Sequence, residues 1–128
     1  LTALNPLTLP IEDGYPLAAE IAAVTGEDPL VMNDAQAAAW GEHRFGAGRV
    51  WDSFAFVTVS TGVGGGLVLE GRLRVGEQGL AGHLGHAVAD PGGLLCGCGR
   101  RGCLETVASG SAIARAAGLL LGRELDAR

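Results

Sequence analysis

The sequence predicts a domain of the α/β class, because segments with helical and strand periods alternate along its 128 residues. Ala-rich segments at 16–24 and 35–45 have the spacing of amphipathic helices, whereas 54–60 is a run of β-branched and aromatic residues. The composition is typical of a globular chain, since 48% of the residues are hydrophobic and 18% are charged.

The first part of the chain is predicted to pass from a loop into two helices separated by a strand. Residues 1–16 contain three prolines and are expected to be extended or looping. The helix at 16–24 is expected to end at Gly26. Residues 29–32 (PLVM) predict a short buried strand, and the helix at 35–45 follows.

The second part is predicted to contain a strand, a hairpin and a C-terminal helix. Glu70-Gly71 closes the hairpin, and the last helix is interrupted near Ser109-Gly110-Ser111, where a new helix cap is expected. In chain order, the segments are a strand at 54–60, a glycine-dense turn at 61–66, hairpin arms at 67–69 and 73–75, a loop at 76–103 and a helix from 104 onward.

Charge and hydropathy exclude several classes of partner. The formal net charge is -5, and all the basic residues are arginines without a basic stripe, so neither nucleic acid nor a membrane surface is an expected partner. Glycines interrupt the apolar runs, so no segment is expected to span a bilayer. The N-terminus has neither the pattern of a signal peptide nor an initiator Met, so residue 1 is not expected to be a natural start.

The pattern Cys-x-Cys-x4-Cys brings three cysteines within eight residues. Zinc prefers a tetrahedron of four ligands, and three thiolates with one imidazole are a common structural set. We therefore expect Cys96, Cys98 and Cys103 to bind one structural zinc ion, with His86 as the fourth ligand and His83 as its competitor. Three buried free thiols, or one disulfide with a spare cysteine, are the alternatives.

A glycine-dense segment, STGVGGG at 60–66, follows the strong strand. Its backbone N–H groups can point at a phosphate, because no side chain blocks the approach. It is not a Walker A loop, since the chain contains no Lys, and no helix follows it as a dinucleotide fold requires. A plain hairpin turn is the alternative, and the hydroxyl of Thr61 favours the phosphate interpretation.

Asn33 and Asp34 follow the predicted strand at 29–32. Ligands of open α/β sheets gather beyond the carboxyl ends of strands, so a carboxylate at this point is a candidate general base. Taken alone, an N-cap of the helix at 35–45 is the better interpretation of Asp34.

Two histidines and a carboxylate, namely His83, His86 and Glu105, are candidates to line a polyol pocket beside the cysteines. Each has a competing structural interpretation. Single histidines are more often structural, and Glu105 is equally suited to the first turn of a helix, where the dipole favours an acid.

Taken in order, these motifs resemble the ROK family of sugar kinases and repressors, over nearly the whole chain. The run NDAQAAAW at 33–40 is similar to the catalytic Asn-Asp segment of the family, and TVSTGVGGG at 58–66 to its second phosphate loop. Residues 82–86, followed by CGCGRRGCLE at 96–105, resemble its zinc and sugar signature, which is highly specific.

The resemblance implies an actin-like, ribonuclease-H-like ATPase fold with two lobes and a cleft. It implies that Asp34 is the general base on the sugar 6-hydroxyl and that Asn33 positions the sugar. It also implies that His86 and Glu105 bond ring hydroxyls and that the zinc is structural. ATP with magnesium is the implied cofactor, and its phosphates would be held by Thr61, Gly62, Gly64 and Gly65. A cytoplasmic homodimer is expected for the full-length protein.

The chain departs from the common family pattern at His83. Most members have Glu-x-Gly-His where this chain has His-Leu-Gly-His at 83–86. A neutral His has one donor and one acceptor, so the hydroxyl pattern it contacts differs from that of a carboxylate. The Gly-His-x-Gly-His version, with the segments 5–10 and 33–40, resembles the bacterial members that act on N-acetylmannosamine. We therefore expect His83 to contact an N-acetylated sugar rather than glucose.

Two parts of the family pattern are missing from the sequence. The family opens with an Asp-x-Gly-Gly-Thr loop and ends with an adenine-side portion, and neither pattern is present in these 128 residues. We therefore expect a fragment that is inactive alone, with 1–34 ending the first lobe and 35–128 beginning the second. The alternatives are a ROK kinase for glucose or another hexosamine, and a sugar-responsive repressor with an upstream helix-turn-helix.

Overall fold

A computed structural model describes residues 10–125, and its elements follow the predicted order with one exception. Short 3-10 turns lie at Ala47–Val50 and Leu84–His86. The helices and strands are α1 Leu17–Thr25, α2 Asp34–Phe45, β1 Phe54–Val59, β2 Val63–Leu69, β3 Arg72–Arg74, α3 Glu105–Ala108 and α4 Gly110–Leu121. The predicted loop at 1–16 lies outside the described residues as far as residue 9. No helix within 10–125 is long and apolar enough to cross a membrane.

The chain divides into two compact units, 1–32 and 33–128. In the first unit, α1 ends as predicted at Gly26, whose φ is 74° and whose N–H donates to the Ala22 carbonyl at 2.8 Å. The buried strand predicted at 29–32 is wrong. Leu30 is 85% exposed, and within the described residues no strand pairs with this segment, so its backbone has no ladder to join. The assignment of 1–34 and 35–128 to two lobes stays a prediction.

The second unit contains an antiparallel sheet in the order β1-β2-β3. The β2–β3 hairpin is closed by Glu70 and Gly71, with φ of 55° and 68°, as the sequence predicted. The glycine-dense turn predicted at 61–66 is shorter than expected. Only 60–62 form a turn, and Gly64, Gly65 and Gly66 pair with β1 inside β2.

Helix α2 packs against β2 through small residues, and this contact explains one of the strand glycines. Ala35 and Ala39 are buried, and a Cβ on Gly66 would lie 2.5 Å from the Cβ of Ala39. The helix is capped by Asn33, whose Oδ1 accepts hydrogen bonds from the N–H groups of residues 35 and 36 at 3.1 and 3.2 Å. The prediction that Asp34 is the N-cap is therefore wrong, since Asp34 is the first helical residue.

The predicted interruption near residue 109 separates α3 from α4. The cap predicted in this segment is Ser109, which accepts a hydrogen bond from the Ala112 N–H at 3.0 Å. The predicted loop at 76–103 contains one 3-10 turn and two isolated bridges, Val88 with Cys103 and Leu95 with Arg101. These bridges bring the cysteine segment back toward the histidines.

Candidate functional site

Four predicted metal ligands, His86, Cys96, Cys98 and Cys103, converge in the second unit. Their ligand atoms all lie within 4.8 Å of one another. The Sγ atoms of Cys98 and Cys103 are 3.7 Å apart, and Sγ of Cys96 is 3.7 Å from Nδ1 of His86. With Zn–S bonds of about 2.3 Å, the edge of a sulfur tetrahedron is about 3.8 Å, so the spacing fits zinc. The thiols are free, and the set does not include His83.

Glycines allow the cysteine loop to turn back on itself. The Gly99 N–H donates to the Cys96 carbonyl at 2.9 Å, and the Cys96 N–H donates to the Arg100 carbonyl at 2.7 Å. Gly99 has a φ of +85°, which a residue with a Cβ adopts only at a cost. At Gly102 a Cβ would collide with the carbonyl of Asp90. The loop geometry that gathers the sulfurs therefore depends on these two glycines.

The three thiols have unequal proton affinities. Burial raises the pKa of Cys98, but hydrogen bonds from the backbone and side chain of Arg100 outweigh it and lower the pKa to about 7. Burial, followed by the hydrogen bond with Cys98, raises the pKa of Cys103 to about 12, and burial also raises the pKa of Cys96. Three adjacent thiolates therefore form together near neutral pH only when a cation offsets their charge.

Glu105 connects the cysteine cluster to the glycine turn. Its Oε2 accepts a hydrogen bond from the Val63 N–H at 3.0 Å, and its Oε1 lies 3.9 Å from Sγ of Cys96. A Cβ on Gly62 would collide with the same carboxylate, so the turn needs glycine at that position. The predicted sugar contact, the predicted phosphate turn and the predicted metal ligands thus meet at the side chain of Glu105.

The start of α4 holds the glycine turn from its other side. The Gly110 N–H donates to the Ser60 carbonyl, and the Ser111 hydroxyl donates to the Thr61 carbonyl, both at 2.8 Å. Thr61 itself is exposed. The turn is therefore fixed by its backbone, and the side chain of Thr61 faces outward.

Gly64 and Gly65 lie outside this turn and have packing neighbours of their own. A Cβ on Gly64 would lie 3.0 Å from the methyl carbons of Ala35 and Thr58, and a Cβ on Gly65 would lie 2.6 Å from the Gly82 carbonyl. Close packing therefore accounts for glycine at both positions. Their predicted contact with phosphate stays a prediction.

His83 lies beside Asp34 and His86. Burial lowers the pKa of His83, and the neighbouring His86 lowers it further, whereas the Gly79 carbonyl and the Asp34 carboxylate raise it. The two imidazole rings are stacked with their centroids 6.4 Å apart. Nε2 of His83 is buried and, among the described residues, has no hydrogen-bond partner. A buried polar atom of this kind is costly unless a ligand pairs with it.

Comparison with known proteins identifies the family. The model of the ROK family matches residues 1–127. The chain belongs to the ROK family. The N-acetylmannosamine kinase of Yersinia pestis (strain Pestoides F) is 54% identical over 113 residues, which are 88% of this chain and 39% of that relative. The chain therefore spans about two fifths of the length of the curated relatives it matches.

Solved ROK structures share the fold. A ROK glucokinase from Streptomyces griseus, in complex with glucose and AMPPNP, has a TM-score of 0.77 and 46% identity, covering 84% of this chain and 34% of that one. A ROK transcriptional regulator, a homologue of the E. coli MLC protein, has a TM-score of 0.72 and 40% identity, covering 83% of this chain and 27% of that one. The predicted α/β, actin-like fold is confirmed for the part of it that this ROK chain contains.

The structure also shows two roles that the sequence patterns did not predict. Gln36 is only 2% exposed, and its side-chain amide donates to the carbonyls of Gly79 and Ala81 at 3.0 and 2.8 Å. Glu42, near the end of α2, accepts a hydrogen bond from the Ala47 N–H at 2.8 Å. The sequence offers one signal for Gln36, namely a polar residue among the alanines of α2. It does not indicate the partners of Gln36, because these lie more than forty positions away in the chain.

Proposed function

We propose that the full-length protein containing this ROK chain transfers a phosphoryl group from ATP to the 6-hydroxyl of N-acetylmannosamine. The observation that carries this proposal is the position of Glu105, whose carboxylate contacts both the residue after Gly62 and the thiol of Cys96. A sugar held by Glu105 and His86 would therefore lie next to a phosphate held at the turn. This juxtaposition is what phosphoryl transfer requires.

In this proposal Asp34 is the general base and Asn33 orients the sugar. Oδ1 of Asn33 caps α2, so its amide nitrogen is the atom assigned to the sugar. Oδ1 of Asp34 accepts from the Ala35 N–H at 2.8 Å, so Oδ2 is the atom assigned to the proton of the 6-hydroxyl. The helix start thus orients both side chains.

The cysteine cluster has a structural role in the proposal. Cys96, Cys98, Cys103 and Nδ1 of His86 would hold one zinc ion, which supplies no reacting group and fixes the loop. Ligation through Nδ1 leaves the proton of His86 on Nε2. That nitrogen would then donate a hydrogen bond to a sugar hydroxyl.

ATP with magnesium is the proposed phosphoryl donor. Thr61 and Gly62 are assigned to its phosphates, with Gly64 and Gly65 as further backbone contacts. The chain contains no Lys, so its contribution to the transfer would rest on backbone N–H groups and on positioning. The glucokinase with 46% identity was solved with AMPPNP, which supports an adenine nucleotide as the ligand.

N-acetylmannosamine is the substrate favoured by two observations, namely the 54% identity to the Yersinia kinase and the buried, unpartnered Nε2 of His83. A ROK kinase for glucose or another hexosamine is the competing enzyme. ADP release by the full-length protein, measured with N-acetylmannosamine, N-acetylglucosamine and glucose, separates them. The highest kcat/KM is expected with N-acetylmannosamine, and a preference for glucose would contradict the assignment.

The base is tested by Asp34→Asn. The amide keeps an oxygen for the Ala35 N–H but cannot take the proton, so kcat is expected to fall by about 10²–10⁴-fold while sugar affinity is retained. Glu42→Gln is the matched control, because it changes another α2 carboxylate, one that accepts a hydrogen bond from the Ala47 N–H near the end of the helix. A nearly normal rate for Asp34→Asn would leave Asp34 with no role beyond the helix start.

A sugar-responsive repressor is the second candidate, favoured by the 40% identity to the ROK regulator. Asn33, Asp34 and the glycine turn together favour the kinase. Sugar-dependent DNA binding without ADP release would instead support the repressor. We further propose a cytoplasmic homodimer, which sedimentation of the full-length protein and fractionation of cells would test.

A further inference from the structure

Gln36 joins the start of α2 to the loop that precedes His83. Its side chain is one of the largest fully buried ones among the described residues. Both hydrogens of its amide are used, since Nε2 donates to the carbonyls of Gly79 and Ala81. The backbone N–H of the same residue donates to Oδ1 of Asn33 at 3.2 Å. Gln36 therefore contacts both Asn33, the N-cap of α2, and a loop more than forty positions later in the chain.

The segment held by Gln36 also contacts His83. The backbone N–H of His83 donates to the Leu80 carbonyl at 3.4 Å, and the Gly79 carbonyl raises the pKa of the His83 ring against the larger lowering by burial. Nε2 of that ring is buried and has no hydrogen-bond partner among the described residues.

We propose that Gln36 is a positioning residue that fixes the 79–81 segment and thereby sets the place of His83 against the sugar. This inference rests on the proposed sugar-kinase function. The buried Nε2 of His83 and the neighbouring imidazole of His86 would then contact adjacent groups of the sugar.

The test uses the full-length protein and the variant Gln36→Met, which keeps a similar volume but removes both donors. The expected result is a fall in kcat/KM for N-acetylmannosamine of about 10- to 100-fold, the size that a displacement of a binding group by about 1 Å produces. The ratio of kcat/KM values for N-acetylmannosamine and glucose is expected to change as well. Gln36→Asn, which retains the amide on a shorter side chain, should show a smaller change of the same kind.

Ala39→Gly is the matched control. Ala39 is fully buried on the same helix, but it faces Gly66 rather than the 79–81 segment. Its loss is expected to lower the melting temperature without changing the ratio between sugars. In a His83→Ala background, Gln36→Met should have little further effect on that ratio, because the two residues act as one unit.

Three outcomes would overturn the inference. One is an unchanged sugar ratio in Gln36→Met, and another is an equal effect of Gln36→Met with and without His83. Nitrogen NMR of the labelled imidazoles gives a readout without turnover, since the His83 signals are expected to shift in Gln36→Met but not in Ala39→Gly. Unchanged His83 signals in Gln36→Met are the third outcome. If no sugar is phosphorylated but the His83 signals shift as expected, the proposed function fails and the positioning role remains.

Discussion

The cysteine loop (96–103) and the glycine strand (61–66) use glycine for different physical reasons. In the loop, Gly99 and Gly102 have φ of +85° and +72°, so the backbone conformation itself requires glycine. In the strand, no glycine has a positive φ, and Gly66 is required because a Cβ would meet Ala39 of α2. The comparison teaches that a glycine cluster does not by itself indicate ligand binding.

The two regions also differ in how a substitution would disrupt them. The proposed metal site depends on the three cysteines of the loop together with His86, so a single substitution would remove a ligand that nothing else replaces. The strand depends on a close fit between its glycines and the alanines of α2. A smaller residue in the helix can therefore compensate for a larger one in the strand. The variants below are ordered by the expected size of their effect, and each tests one side of this difference.

The largest effect is expected for Cys103→Ser in the cysteine loop. Cys103 is fully buried, and a hydroxyl is a poor substitute for a thiolate on zinc. Zinc content should fall from about one ion per chain to none, and the free energy of unfolding should fall by more than about 4 kcal/mol. Metal analysis and denaturant unfolding of the full-length protein measure both.

Arg101→Ala is the control for that variant, because Arg101 lies in the same loop, is exposed and donates only a long hydrogen bond to the Gly93 carbonyl at 3.4 Å. It should keep its zinc. If the wild-type protein bound no zinc and was still normally stable, the cysteine loop would not be a structural metal site.

A smaller effect is expected for Gly66→Ala in the glycine strand. The added methyl overpacks the contact with α2, at a cost of about 1–3 kcal/mol in the free energy of unfolding. Ala39→Gly should recover part of this loss, because it removes the methyl that the new Cβ would meet. Thermal unfolding of both single variants and the double variant measures the compensation.

Gly41→Ala is the control for overpacking. Gly41 lies inside α2 with no atom within 4 Å of a built Cβ, so alanine should stabilise the protein there by about 1 kcal/mol. If Gly66→Ala kept full stability and only raised the KM for ATP, the glycine strand would be a phosphate site rather than a packing surface.

Gly99→Ala should lower stability by about 1–2 kcal/mol, because its cost comes from the backbone and not from a neighbour. No second substitution should rescue it. Gly99→Asn is expected to lose less, since Asn tolerates the left-handed region better. Equal losses for Ala and Asn would show that the positive φ is not the cause.

The smallest effect is expected for Ser111→Ala, which removes the hydrogen bond to the Thr61 carbonyl at the end of the glycine turn. We expect about 0.5–1.5 kcal/mol, seen as a severalfold rise in the KM for ATP with little change in the KM for sugar. Ser53→Ala is the matched control, because that hydroxyl accepts from the Glu70 N–H, away from the turn. A rise in the KM for ATP in both variants would show that the hydrogen bond at the glycine turn has no specific role in ATP binding.

Local patterns predicted most of the elements. The helix at 35–45, the hairpin at Glu70-Gly71 and a helix cap within 109–111 are all confirmed, because each depends on residues within a few positions of one another. The strand at 29–32 failed for the opposite reason. Its apolar run was suited to a strand, but pairing depends on another segment that the described chain does not place beside it.

The amino-acid sequence by itself predicted the candidate ligands of the cysteine loop, with His86 as the fourth, and indicated the family, since spacing and residue type carry both. Only the tertiary structure decided that Asn33 rather than Asp34 caps α2 and that Gln36 holds the segment before His83. The physical reason is the range of the contacts. Three cysteines within eight residues meet in one loop, whereas Gln36 and Gly79 meet only when α2 has packed on the sheet.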